Sequence, residues 1–501
     1  MPLFYLGLYM KTSSLYKFTY IYLAIPLLLF LLNWLDYGWA LIFCSVFGLA
    51  FYKSYISIKG DDTLILKTNS LAGLVVIATV WCFLAGIGYF YHQPFDYHFR
   101  NAVFRDLINF EWPVFYDKAN TPMVYYMGYW LFPALFGKLA LLFGVSKHSA
   151  FMFANVILFI YAVFGVCLVL IHLIKAVNIK TEKQIWFAIL IFMFFSGLDI
   201  VGCEILKYKQ PMSFHIEWWA IFIQYSSITT MLFWVFNQFI PTALIFFLVY
   251  NERCVKNFGF LIAISLFMAP YPTAGIGVFM LIYWISLLRQ YSDKKEFILN
   301  ETLSVQNFIG VFWLLSLEVM FYITNSEGMR GYYPLFEYTT LSNFILFVVL
   351  EFLLYCLIIC KKFYKDVFFV TMFVLFLVIP FLRVDEQNNF CMRASIPAVI
   401  LLSVYCIRFL FENMNKYVSV ILGGVMLIGA VTPMVEFYRG FHYVNRTGRL
   451  NLVADEIYTL NQAFVRMPIF GWDANHQYTA QEYKTDIFWQ FFSKKKRPDG
   501  K

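Results

Sequence analysis

Five ionisable side chains crowd the stretch QPFDYHFRNAVFRD, where Asp96, His98, Arg100, Arg105 and Asp106 fall within eleven residues directly after an apolar run. A carboxylate at a membrane exit can act as a general base, and Arg or His can hold a phosphate or pyrophosphate leaving group. If the segment after Asp96 is helical, His98, Asn101 and Arg105 share one face, because their spacings are three and four. The alternative is a solvated helix with ordinary ion pairs. A second cluster, SFHIEWW, brings His215, Glu217, Trp218 and Trp219 together just before another apolar run. A carboxylate beside aromatic rings suits a sugar, whose apolar face stacks on a ring while its hydroxyls bond to the acid. An interfacial aromatic belt would use the same residues. A third cluster, FLRVDEQNNFCMRAS, compresses Arg383, Asp385 and Arg393 between two apolar runs, where guanidinium groups can fork onto phosphate oxygens. Asp96, His98, His215 and Glu217 offer oxygen and nitrogen ligands without a diagnostic spacing, so no cofactor is established and a divalent metal ion stays open. There is no Gly-rich phosphate loop and no nucleophile elbow, which argues against cytosolic nucleotide chemistry.

The elements that must position these residues are membrane helices. Of 501 residues, 61% are hydrophobic and 14% charged, where soluble domains carry about 25% charged residues. Apolar runs of roughly 17–25 residues recur from Ile21 to Val435, each able to cross a hydrocarbon core of about 30 Å. Runs such as VFFVTMFVLFLVIPFL are continuously apolar, which excludes the alternation of a β-barrel. The expected fold is therefore all-α, a polytopic bundle of about 13 spans. Pro270-Tyr271-Pro272 breaks the long run 259–287 into two short helices meeting at a turn. The net charge of +8 reads as inside-facing loop charge rather than a nucleic-acid surface. Cysteines such as Cys82 and Cys406 lie in apolar runs and read as packing residues. The opening residues show no cleavable signal pattern, only a first anchor.

Lys and Arg cluster at 53–67, 175–183, 253–256, 289–295, 361–365 and 408–416, which the positive-inside rule assigns to the cytoplasm. The outer face then receives the loops 92–128, 199–226, 324–340 and 383–394. Residues 1–435 form the transmembrane domain and 436–501 a small outer-face segment. This topology closes only if 129–145 does not span, and that segment is expected as an interfacial helix on the outer surface. All three polar clusters fall on the outer side. Asn237, Gln238, Glu318 and Glu351 are the polar residues inside apolar runs, and such positions face a cavity or a partner helix.

With Asp96 followed by Thr121-Pro122-Met123-Val124-Tyr125-Tyr126, the first outer loop resembles the GT-C superfamily of membrane glycosyltransferases, such as the protein mannosyltransferases and the aminoarabinose transferase. In those enzymes an early span ends in an outer loop with a functional acid, followed by surface helices and a Pro-containing, tyrosine-rich segment. The resemblance covers about the first 250 residues, and here Asp96 lacks the paired acid often found in that loop. It implies an enzyme that transfers a sugar from a polyprenyl-phosphate-linked donor to a glycan, lipid or protein acceptor at the outer leaflet. Asp96 would be catalytic, and His98, Arg100, Arg105, Asp106, Lys118, Tyr125, Tyr126, His215, Glu217, Trp218, Arg383, Asp385 and Arg393 would contact substrate. A polymerase or ligase of lipid-linked oligosaccharides and a transporter or flippase are the alternatives. The expected partner surface is the lipid bilayer, with no nucleic acid, and the expected location is a bacterial plasma membrane.

Overall fold

The computed structural model describes residues 7–60, 62–117, 120–179, 181–208, 215–325, 334–384, 388–412, 416–451, 458–460, 477–480 and 483–494. In chain order these form β1 (Gly7–Lys11), α1 (Thr12–Trp34), α2 (Tyr37–Ser57), β2 (Thr63–Lys67), α3 (Thr68–Leu84), α4 (Tyr97–Asn109), β3 (Phe115–Tyr116), β4 (Thr121–Pro122), α5 (Gly128–Leu142), α6 (Lys147–Val177), α7 (Glu182–Met193) and α8 (Asp199–Ile205). There follow α9 (Ile228–Phe247), α10 (Phe258–Met268), α11 (Pro270–Gln290), α12 (Val305–Ile323), α13 (Leu341–Phe363), α14 (Val367–Val378), α15 (Asn389–Ala394), α16 (Ile396–Phe411), α17 (Lys416–Gly429) and α18 (Val431–Thr447).

Among the described residues eight helices are long and apolar enough to cross a membrane: α1, α2, α6, α9 with its continuation to Glu252, α11, α12, α13, and α17 with α18 taken together. The chain is thus a largely helical, multi-span membrane protein. Helices are the form such runs must take, because in hydrocarbon each backbone N–H and C=O needs a partner within its own segment. Their starts are written locally. Asp36, Ser146, Ser227 and Asp366 accept backbone N–H groups at the first turns of α2, α6, α9 and α14, and Thr181 with Gln184 forms a capping box on α7. The break predicted at Pro270 is present: Ala269 leaves helical geometry (φ −149°, ψ 74°) between α10 and α11.

The most enclosed helix is α9, 94% buried over its apolar window, and α6, α10, α11, α16 and α18 pack around it. One end of the bundle gathers the basic loops, with Lys67 paired to Glu182 and Lys175 to Asp62, both at 2.8 Å. The other end carries α4, the β3–β4 pair, α15, and the chain's C-terminal residues.

Three features depart from the sequence reading. Two small antiparallel sheets, β1–β2 and β3–β4, interrupt the all-α plan. The helix within 129–145, expected to lie along the surface, instead packs lengthwise and antiparallel on α6, with Gly137 against Ala154 and the Tyr129 ring 5.2 Å from Tyr161. Its buried Tyr129, Trp130 and Ala134 need a helix face to cover them, which a flat interfacial position would not supply. The boundary at 435 is also too early. Hydropathy falls there, but α18 continues as an amphipathic helix to Thr447 and buries Glu436 and Arg439.

Candidate active site at the end of the bundle

Helix α4 begins immediately after Asp96, whose side chain caps no backbone N–H and reaches instead to Arg100, one turn on, at 3.0 Å. The Arg100 side chain is 5% exposed and the Asp96 side chain 42%, so the pair presents a carboxylate outward from a buried cation. The next turn is anchored away from this pair. Asn101 donates to Gln93 (2.9 Å), and Gln93 donates to the carbonyl of Gly86 (2.7 Å), which fixes the α3–α4 connection.

Two further elements converge on Asp96 and Arg100. The β3–β4 pair delivers Tyr125 and Tyr126, whose rings lie 3.8 Å apart between centroids. The short helix α15, started by the Asn388 side chain, delivers Arg393, 6% exposed, which donates to the Tyr126 hydroxyl at 3.1 Å. Its guanidinium also lies 5.8 Å from the ring of Tyr271 at the start of α11. The Tyr125–Tyr126 pair packs through Tyr478 onto Phe99, the neighbour of Arg100 in α4, and so brings Arg393 to the same end of that helix. One N–H position of each guanidinium, Nη1 of Arg100 and Nε of Arg393, is buried without a partner among the described residues. Two cations against one carboxylate, with donors left over, make this region suited to an anion with several oxygens.

The second sequence cluster forms a knot beside this site. His215 donates from Nδ1 to Glu436 (3.1 Å) and accepts at Nε2 from Gln224 (3.0 Å), which fixes its tautomer. Glu217 accepts from Gln224 (2.6 Å), the Ser227 N–H (2.9 Å) and the Thr230 hydroxyl (2.6 Å), and so caps the start of α9. Glu436 also accepts from Trp234 (3.0 Å) and pairs with Arg439. Burial pushes the His215 imidazole down to about 4, so it is neutral, and burial raises the Glu217 carboxyl. Trp218 is 46% exposed and stands outside the knot with its edge toward His215.

Other predicted residues go elsewhere. Asp106 is fully buried and accepts from the Tyr116 hydroxyl (2.8 Å) and the Leu460 N–H (3.0 Å), and burial pushes its carboxyl up to about 7. Arg105 stacks on Phe151 (4.2 Å) and Tyr458 (4.7 Å). The face expected to unite His98, Asn101 and Arg105 therefore turns inward onto α6 and the C-terminal residues, and the face that assembles the site is that of Asp96 and Arg100. His98 is half-buried against Phe95. Arg383 is held between the rings of Phe222 (4.2 Å) and Tyr338 (4.0 Å) as a separate cation–π cluster. Lys118 and Asp385 lie outside the described residues. Asp96 is engaged by Arg100, and among the described residues no three His, Cys, Asp or Glu side chains converge as metal ligands.

Sequence reasoning missed Gln224, Tyr271, Glu436, Arg439 and Tyr478. Only Glu436 and Arg439 carried a local signal, an acid and a base three residues apart where the last apolar run gives way to an amphipathic helix. Comparison of the chain with protein-family models, with curated proteins and with solved structures finds no match in any of the three.

Proposed function

We propose that this protein is a membrane glycosyltransferase of the GT-C kind, moving a sugar from a polyprenyl-phosphate-linked donor to an acceptor hydroxyl at the outer leaflet of a bacterial plasma membrane. The observation that carries the reading is the pair of buried guanidiniums, Arg100 and Arg393, each with an N–H unpartnered among the described residues, together with the outward-facing carboxylate of Asp96 on Arg100. Arg100 and Arg393 hold the donor phosphate and stabilise the charge it gains as the bond from the sugar's anomeric carbon to oxygen breaks. Asp96 accepts the proton of the incoming hydroxyl as the new glycosidic bond forms. Thirteen crossings are part of this reading: the eight long helices together with α3, α7, α10, α14 and α16, with α5 as a hairpin arm on α6.

The test is transfer of radiolabelled sugar from polyprenyl-phosphate lipids by the reconstituted protein, native against Asp96→Asn at matched thermal midpoints. Loss of roughly 10²-fold or more is expected of a missing general base. Unchanged transfer removes Asp96 from that role. A transporter is the second reading, supported by Glu318 and Gln238, whose side-chain polar atoms are buried in α12 and α9 without partners among the described residues. Absence of transfer from every donor, with flux across vesicles, would establish it.

A further inference from the structure

The described C-terminal residues 458–460, 477–480 and 483–494 contact the same end of the bundle at separate points. Leu460 donates to Asp106, while Asp36 donates to the carbonyl of Phe492 (2.8 Å) and Lys494 to that of Trp34 (2.9 Å). Between these anchors, 477–480 pairs with the tyrosine-bearing segment. Val124 donates to the carbonyl of Tyr478 (2.9 Å), Ala480 donates to that of Pro122 (3.1 Å), and Asn325 bonds to the carbonyls of both Val124 and Gln477 (2.9 Å each). This pairing seats the Tyr478 ring, 5% exposed, between two others. It stacks on Phe99 of α4 at 5.9 Å and 10°, and leans on Tyr125 at 4.7 Å. Tyr125 in turn lies 3.8 Å from half-buried Tyr126, whose hydroxyl takes the Arg393 N–H. Phe99, Tyr478, Tyr125 and Tyr126 thus form one column of rings that ends on Arg393.

Resting on the function proposed above, we infer that Tyr478 is a positioning residue of the anion site: the C-terminal segment supplies the ring that holds Tyr125 and Tyr126 against Arg393, so phosphate affinity depends on a residue more than three hundred positions beyond those two tyrosines in sequence. Tyr478 is buried with Phe99 and Tyr125 against its ring, so the proposed role is exerted through the column. Removing the ring leaves Tyr125 unsupported and lets Tyr126 and Arg393 leave the arrangement in which the Tyr126 hydroxyl accepts the Arg393 N–H.

The experiment is binding of polyprenyl phosphate to the full-length protein in detergent, for the native chain, Tyr478→Leu, Tyr478→Phe, Arg393→Gln and the double variant Tyr478→Leu/Arg393→Gln. Leucine keeps buried apolar volume while removing the ring, and thermal midpoints verify folding. The expected result is a loss of affinity of about tenfold for Tyr478→Leu, near-native affinity for Tyr478→Phe, and less than about twofold further loss when Tyr478→Leu is added to Arg393→Gln. Effects that multiply in the double variant, or native affinity in Tyr478→Leu, overturn the positioning role. Absence of binding by the native chain instead overturns the anion site, and is read before any variant is compared. Tyr483→Ala, in the same segment but packed on Phe115, is the control for loosening of the strap and retains native affinity.

Discussion

Asp106 makes the attachment of the C-terminal segment depend on pH, in the direction opposite to an ordinary paired carboxylate. One of its oxygens accepts both the Tyr116 hydroxyl and the Leu460 N–H, and the other is buried without a partner among the described residues. No cation neutralises it by direct contact, so burial raises its carboxyl from 3.8 to about 7. A group whose folded pKa is raised stays protonated in the folded state while the unfolded state has already lost its proton. Its contribution is complete below about pH 4 and is lost as pH rises to about 7. The shift is about three pH units, and at about 1.4 kcal/mol per unit the contribution is at most about 4 kcal/mol. The Leu460 N–H itself favours the charged carboxylate, but burial outweighs it, and release of 458–460 would admit water to Asp106, so the loss is expected to fall first on the docking of that segment. Hydrogen exchange in lipid nanodiscs, corrected for the intrinsic rate at each pH, should show the Leu460 peptide protected at pH 5 and less protected at pH 8. Asp106→Asn keeps one carbonyl oxygen to accept both bonds and removes the titration, so its protection should be the same at both pH values. Equal protection of the native chain at pH 5 and pH 8, or a pH dependence that survives Asp106→Asn, would refute the reasoning.

Two further predictions concern the scaffold around the site. Glu217→Ala removes the acceptor of the Ser227 N–H and one acceptor each of the Thr230 hydroxyl and the Gln224 amide, and the midpoint of thermal unfolding in detergent should fall by the equivalent of about 1–3 kcal/mol; an unchanged midpoint would show that the carboxylate does not cap α9. A Cβ at Gly202 would overlap the Trp219 indole, whereas Gly423 and Gly424 have open space around them, so Gly202→Ala should cost about 1–3 kcal/mol and Gly423→Ala little, with tryptophan fluorescence reporting any shift of the ring.

The helices were legible because lipid imposes one answer on a long apolar run, and the α10–α11 break was legible because two prolines two residues apart are tolerated only in the first turn of a helix, where α11 places them. Asp96, Arg100 and Arg393 were legible as residues but not as an assembly. Within α4 the spacing offered several faces, and which one turns toward the site depends on where α6 and the C-terminal residues lie. Glu217 was visible as a carboxylate beside two tryptophans, yet its use as a helix cap was hidden. The chain must reverse through Ile221 and Phe222, both at φ 44°, before Ser227 comes within reach, and nothing in that apolar pair announces a left-handed turn. Tyr478 carried no local signal, since its position is set by strand pairing with residues in the first outer loop.

Satisfaction of hydrogen bonds separates scaffold from site better than residue type does. His215, Glu217, Glu436, Gln224 and Arg439 are the denser polar cluster and from sequence the more inviting one, but they bond to one another and to α9. A ligand binding there would have to displace bonds already made inside a low-dielectric environment, at about 1–3 kcal/mol for each group left bare. Arg100 and Arg393 differ in that each retains a buried N–H with nothing to receive it among the described residues. That cost is already present in the protein without ligand, and an incoming phosphate removes it. The knot therefore holds 215–217 and α18 against α9, and under the proposed function the phosphate would bind where the fold has left donors unmatched.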